Sequence, residues 1–237
     1  MGTSSRKPAP TGGDWTKAKT RLTNWTKGGG TNTDLANAAL GAFVGALGGA
    51  AAAASEATGG VRTAAGLGEF LADVGREGLD TTLDRYGFAD LVGGDAVEVL
   101  GELATRIAGA GDTTEEAAAR EAVREVLTEI FDDPETYEDL EALAVDDDRV
   151  REFVALYLVE YIFVRVMQEL GDRIANNVEP TDAEAYERRL HDDIAALVRL
   201  DLSTIDDPLT FRWTTDQGRE RVRQLLAEAL RMLTLEE

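Results

Sequence analysis

Residues 150–174 narrow most sharply what this chain can become. Phe153, Val154, Leu156, Tyr157, Leu158, Val159, Tyr161, Ile162, Phe163, Val164, Val166, Met167 and Leu170 make the stretch apolar on nearly every face of a helix. Such a helix sits centrally in a larger helical assembly or is covered by a partner. Glu160 and Arg165 interrupt it, so it does not read as a membrane span. Glu160, Arg165, Glu169 and Arg173 fall roughly along one polar flank. Arg165–Glu169 and Glu169–Arg173 stand at the spacing that permits pairing within a helix. The functional reading makes Glu160, Arg165 and Glu169 a recognition face; the structural reading is intrahelical pairing that keeps one stripe wettable.

The other segments also carry helical periodicity. Leu67, Leu71 and Val74, then Leu79, Leu83 and Tyr86, step at three or four, with Gly75 and Gly78 as division points. Gly93-Gly94 precedes a helix from Asp95 to Ile107 that turns Val97, Leu100, Leu103 and Ile107 inward and ends at Gly109. Thr113 with Glu116 forms a capping box for a helix to Phe131, and Asp133-Pro134 opens a short helix through Leu143. Thr181 with Glu184 is a second box, for a helix through Leu202, and Thr214 with Gln217 caps the last one. In the first of these, Glu187 and His191 form a surface pair at spacing four. Phe211 and Trp213 pack on the bundle. The fold class is all-α: an irregular multi-helix bundle.

Residues 35–55 hold no charge, but they are chiefly Ala and Gly, with Gly41, Gly45 and Gly49 on one face. That pattern suits close helix packing, and Gly48-Gly49 weakens or kinks the helix. The alternative is a membrane-perturbing helix.

All four lysines, Lys7, Lys17, Lys19 and Lys27, precede residue 28. Residues 1–30 add two arginines against one aspartate, a net of +5, whereas residues 31–237 hold 18 arginines against 44 carboxylates, a net of −26. The expected layout is a disordered basic tail, 1–33, on an acidic helical body, 34–237, with a subdivision point at 109–113. Trp15-Thr16-Lys17 recurs as Trp25-Thr26-Lys27. Trp15, Lys17, Lys19, Trp25 and Lys27 are therefore candidate contacts, favoured as docking anchors on a partner or on the body over a nucleic acid sensor that stacks bases. A body this acidic repels phosphates, and its Lys-poor, Ala/Gly-rich composition reads as adaptation to high salt, where charges are screened.

No apolar run follows the initial charges, so no secretory signal is read, and a cytoplasmic protein is expected. Arg6 stands where myristoylation wants Ser or Thr. With no cysteine and one histidine, thiolate chemistry and Cys/His metal sites are excluded. No Walker A or Gly-x-Ser-x-Gly pattern occurs. The expectation is a non-enzyme with no catalytic residue, metal or cofactor. Removal of Met1 would expose the unobstructed amine of Gly2, whose ordinary pKa near 8 leaves a neutral fraction at neutral pH.

Several stretches, in order, resemble one family: the small B component of the four-gene Qat anti-phage defence system. They are the Met1-Gly2-Thr3-Ser4 start; Trp15 with Lys17, Lys19, Arg21 and Thr23; Leu67-Gly68-Glu69-Phe70-Leu71 with Gly78, Thr82-Leu83, Gly87 and Leu91-Val92-Gly93; Thr114-Glu115-Glu116-Ala117-Ala118-Ala119-Arg120; Tyr161-Ile162, Arg165, Glu169-Leu170 and Arg173; Val198-Arg199-Leu200-Asp201-Leu202; then Trp213, Gly218 and the final helix to Leu233. The link between the start and Trp15 is shorter than relatives often have, and residues 35–55 lack their arginines. The resemblance implies a non-enzymatic role in bacterial or archaeal defence beside an ATPase, a queuosine-pathway-like (QueC-like) enzyme and a TatD-like nuclease. It further implies binding to the QueC-like enzyme of the same operon, with Gly2 as a modification candidate and Thr3 and Ser4 as flanking contacts. Stable membrane insertion and direct nucleic acid binding are not expected.

Overall fold

The computed structural model describes residues 12–109, 113–131 and 136–234. Within them lie twelve α-helices, a single 3-10 turn at Ala89–Leu91 and no strand. In chain order the helices are α1 Gly13–Lys27, α2 Thr33–Ala46, α3 Ala50–Glu56, α4 Thr58–Glu77, α5 Leu79–Arg85, α6 Ala96–Ala108, α7 Thr114–Ile130, α8 Tyr137–Glu141, α9 Asp147–Leu170, α10 Asp172–Ala175, α11 Ala183–Leu197 and α12 Asp216–Met232. The all-α expectation holds.

The long apolar segment is α9, and it lies centrally. It packs on α7 and α4 and also touches α10, α11, α12 and α1. Tyr157, Leu158 and Val154 are sealed inside, and the Tyr157 hydroxyl donates to the Gly60 carbonyl at 3.2 Å. Helix α4 is the second central element, bordered by α6, α7, α9 and α12.

Local signals account for most boundaries. Thr113 and Glu116 form the reciprocal capping box at α7. Gly48 and Gly49 both adopt positive φ, and α2 and α3 meet there at a 60° bend. Gly78, not Gly75, divides α4 from α5. Elsewhere the local pattern misleads. Val97 is 73% exposed, while Val99 faces the core. Thr181 does not cap α11, which starts behind Asp182 with no side-chain cap. Thr215, one residue beyond Thr214, caps α12 by accepting from the Gly218 amide at 3.2 Å. Residues 132–135, and with them the expected opening at Asp133-Pro134, lie outside the described set; Thr136 caps α8.

The largest correction concerns the front of the chain. A disordered tail through residue 33 was expected, but residues 13–27 form α1, packed along α2 and against α10. The reason lies in its spacing: Ala18, Leu22 and Trp25 fall on one helical face, and all are buried. Asp14 stands in the first turn and Lys27 in the last, each complementing the helix dipole. Arg21 bridges to the Ala38 carbonyl of α2 at 2.8 Å. The return turn uses Gly30 at φ 66°, where a Cβ would sit 2.4 Å from the Tyr186 ring, so only glycine fits. Residues 1–11 lie outside the described set, and with them Gly2, Thr3 and Ser4.

Candidate functional site

The two tryptophan repeats have parted. Trp25 is fully buried and meets Tyr186 edge to face at 5.7 Å, so it is a core anchor and not a partner contact. Trp15 is half-buried against Phe43, ring centres 6.0 Å apart. Lys17 and Lys27 are exposed on α1 and Lys19 is half-buried. Stacking bases between both tryptophans is therefore closed in this conformation.

Glu160, Arg165 and Glu169 do not form one face. Glu160 is buried, its side chain 8% exposed, and its Oε1 meets Nε2 of His191 on α11. That replaces the expected Glu187–His191 pair. The Phe163 ring stands edge-on to the imidazole at 5.1 Å. The hydrogen bond that His191 donates to Glu160 raises the His191 pKa, working against the burial that would lower it; Asp192 adds to the rise.

Arg165 points the other way. Its Nη1 donates to the Tyr161 hydroxyl at 3.2 Å, and that hydroxyl donates to Glu115 Oε1 at 2.9 Å. The Glu115 carboxylate also accepts from the Gly59 amide at 2.8 Å and from the Gly60 amide. Glu115 thus caps the N-terminus of α4 from another helix, 55 residues away in sequence. Gly59 and Gly60 permit the approach: a Cβ on either would lie 2.4–2.5 Å from Glu115 or Tyr161. Burial raises the Tyr161 pKa while Arg165 lowers it, and the net direction is upward, so the phenol stays a donor. These residues hold the framework and offer no open reaction centre.

Among the clefts of the described residues that are large enough for a ligand or a partner side chain, two draw charged groups from several helices together. One, of about 790 Å³, lies where α4, α7 and α12 begin; Arg62, Arg219 and Arg223 stand beside Glu115, Glu116 and Asp216. Arg62 pairs with Glu116 at 3.0 Å and Arg223 with Glu220, while Arg219 donates to the Thr214 carbonyl at 2.9 Å. The other, of about 650 Å³, opens between α7 and α11 above α9. Phe163 and Val164 floor it; Glu121, Glu125 and Glu129 line one wall and Glu184 and Glu187 the other. The glutamates of α7 sit at spacing four, a signal that sequence reading passed over because charge runs are common on solvated faces.

Among the described residues no group of three or more His, Asp or Glu side chains is placed to hold a metal ion. No single described helix is long and apolar enough to cross a membrane; the bent pair α2–α3 passes a length-and-composition test, yet Ala36, Leu40, Phe43 and Val44 of α2 are buried in the bundle.

A helical bundle with a central apolar helix and a lysine-bearing first helix is the class of protein these features define. The family model of the Qat anti-phage system associated protein QatB matches residues 48–233. The chain therefore belongs to that family, a component of the Qat anti-phage defence system, and the matched span takes in α3 to α12. No curated protein and no solved structure matches the chain.

Proposed function

We propose that this protein is a non-catalytic component of the defence system. It binds a queuosine-pathway-like, ATP-dependent enzyme and presents its own N-terminal glycine as that enzyme's substrate. The match to the QatB family over residues 48–233 carries this reading. In it the body is a docking module, and α1, pinned through Leu22 and Trp25, sets where the preceding residues leave the bundle. Eleven residues span at most about 40 Å, which bounds how far from α1 the enzyme's pocket can lie. Docking of the body raises the effective concentration of the terminus at that pocket.

The chemistry is acyl transfer. The deazaguanine carboxylate attacks the α-phosphorus of ATP to form an acyl adenylate with release of pyrophosphate; the neutral Gly2 amine, freed by loss of Met1, attacks the activated carbonyl. An amide forms, the adenylate leaves as AMP, and the amine gives up a proton. Thr3 and Ser4 offer hydrogen bonds beside the reacting atom. The ATPase and the TatD-like nuclease of the system are further partners in this reading.

Intact-mass measurement of the chain co-produced with the neighbouring enzyme, ATP and the deazaguanine acid tests it. The expected result is loss of Met1 and gain of one deazaguanine acyl group on Gly2. A chain that emerges with an unmodified Gly2 from such cells rejects the substrate role, and failure of the two proteins to co-purify rejects the partnership.

A further inference from the structure

The body would dock through one face, and the groove along α9 is where covering is missing. Helix α9 is apolar almost all round, yet the bundle does not cover it all round. Leu156, Phe163, Val164 and Met167 remain only half-buried. Leu156, Phe163 and Met167 follow one another at spacings of seven and four, with Val164 beside Phe163, a stripe that a second helix would seal. On this stripe, over Phe163 and Val164, lies the 650 Å³ cleft; a separate one of about 410 Å³ lies nearer the start of α9, beside Glu152 and Ala155.

The flanks carry one sign. Glu121, Glu125 and Glu129 rise from α7, and Glu184 and Glu187 from α11. Arg124 ties Glu121 and Glu125, and Arg188 pairs with Glu184 at 2.8 Å, but the balance across the groove stays negative. His191 and Glu160 satisfy each other at the base. A second copy of this chain fits poorly, since a two-fold contact would bring two acidic walls together. An apolar stripe between acidic rims instead complements a helix with an apolar ridge and lysines or arginines on both shoulders.

We propose that the α7–α9–α11 groove is the docking site for a basic amphipathic helix of a partner protein. This rests on the reading of the body as a binding module and names the face it uses.

The test uses the full chain and two synthetic probes: a Lys/Leu amphipathic helix and a Lys/Ser peptide of equal length and charge. The expected result is at least ten-fold tighter binding of the Lys/Leu peptide at physiological ionic strength. Val164→Arg on the floor and the double change Glu125→Gln/Glu129→Gln on the rim should each weaken it about ten-fold. Glu138→Gln/Glu141→Gln on α8, outside the groove, should not; circular dichroism checks that each variant keeps its helices. Equal binding of both peptides, or equal losses from groove and α8 variants, overturns the proposal. Capture of the neighbouring enzyme by wild type but not by Val164→Arg supports it, and undiminished capture by Val164→Arg overturns it. Selective Lys/Leu binding by a chain that captures no enzyme supports the groove and places the failure on the enzyme partnership.

Discussion

His191, the chain's only histidine, reaches across from α11 to close its Nε2 on the buried Oε1 of Glu160 in α9, 31 residues earlier. Helix α11 has only Leu190 and Ile194 fully buried along its length. The pair therefore supplies a large share of what fixes α11 to α9, together with Phe163 against the imidazole, while Tyr186 against Trp25 ties α11 to α1. Loss of His191 leaves a carboxylate with little access to water. His191→Gln is expected to cost about 1–3 kcal/mol, below the figure for a fully buried pair because the imidazole is 28% exposed. Because the folded pKa of His191 is raised, the contribution is complete below the ordinary histidine value of about 6.5 and fades as pH climbs through the folded value. Urea titrations of both proteins at several pH values should show the gap between them largest near pH 6 and narrowing above it. A gap that widens with pH contradicts this.

Glu115 should behave as a structural residue of unusual reach. Its carboxylate takes the Gly59 and Gly60 amides and the Tyr161 hydroxyl, groups that would otherwise be left without partners at the start of α4. Glu115→Ala is expected to cost about 2–4 kcal/mol, because three donors lose one acceptor. Tyr161→Phe removes two hydrogen bonds, the one donated to Glu115 and the one accepted from Arg165, and should cost about 1–3 kcal/mol. The urea midpoint of each variant, at unchanged slope, is the readout. A Glu115→Ala midpoint equal to that of wild type would remove the capping role.

The lysine distribution gives a direct assay of α1. Every lysine precedes residue 28, so a lysine-specific protease cuts only in the front of the chain. Within α1, Lys17, Lys19 and Lys27 lie on a helix anchored by the fully buried Trp25. Trp25→Ala should cost about 3–5 kcal/mol and speed cleavage at those three lysines well beyond any change from Trp15→Ala, since Trp15 is only half-buried. Equal cleavage rates in the two variants would mean that Trp25 does not hold α1 down.

These sites differ in how far local sequence reveals them. Thr113 with Glu116 is readable because both partners of the cap sit within one turn, and the break at Gly48-Gly49 because the backbone itself demands glycine. Helix α1 was concealed by its charge: the Ala18, Leu22 and Trp25 spacing was present, but lysine, threonine and glycine around it mimic a disordered tail. Val97 and Val99 carry identical side chains, and only the packing of α6 decides which one turns inward. Glu115 over Gly59 and His191 on Glu160 have no local signature, because each joins elements that meet only once the bundle closes. Glu187 competed for His191 on paper at spacing four, yet the buried Glu160, with fewer waters available to it, gains more from the contact.

Gly66 and Gly68, two residues apart in α4, should respond oppositely to one methyl group. Both lie inside a 20-residue helix, where alanine gains up to about 1 kcal/mol over glycine. At Gly66 a Cβ would meet Ile107 at 3.5 Å, an ordinary contact. At Gly68 it would fall 2.6 Å from the Trp213 indole. That ring cannot retreat: it is fully buried, braced by Phe211 at 5.0 Å, and its Nε1 donates to the Pro208 carbonyl at 3.0 Å. The neighbouring Glu69 accepts from the Thr214 amide at 3.3 Å, so α4 cannot slide away without breaking that bond as well. Overpacking of about 1–3 kcal/mol then outweighs the helix gain. Gly66→Ala should raise the urea midpoint and Gly68→Ala lower it, with loss of the near-ultraviolet dichroism from Trp213 in the second case only. Shifts of the same sign would show that the indole yields and that the contact between Gly68 and Trp213, 145 residues apart, does not set the seat of α12's connector on α4.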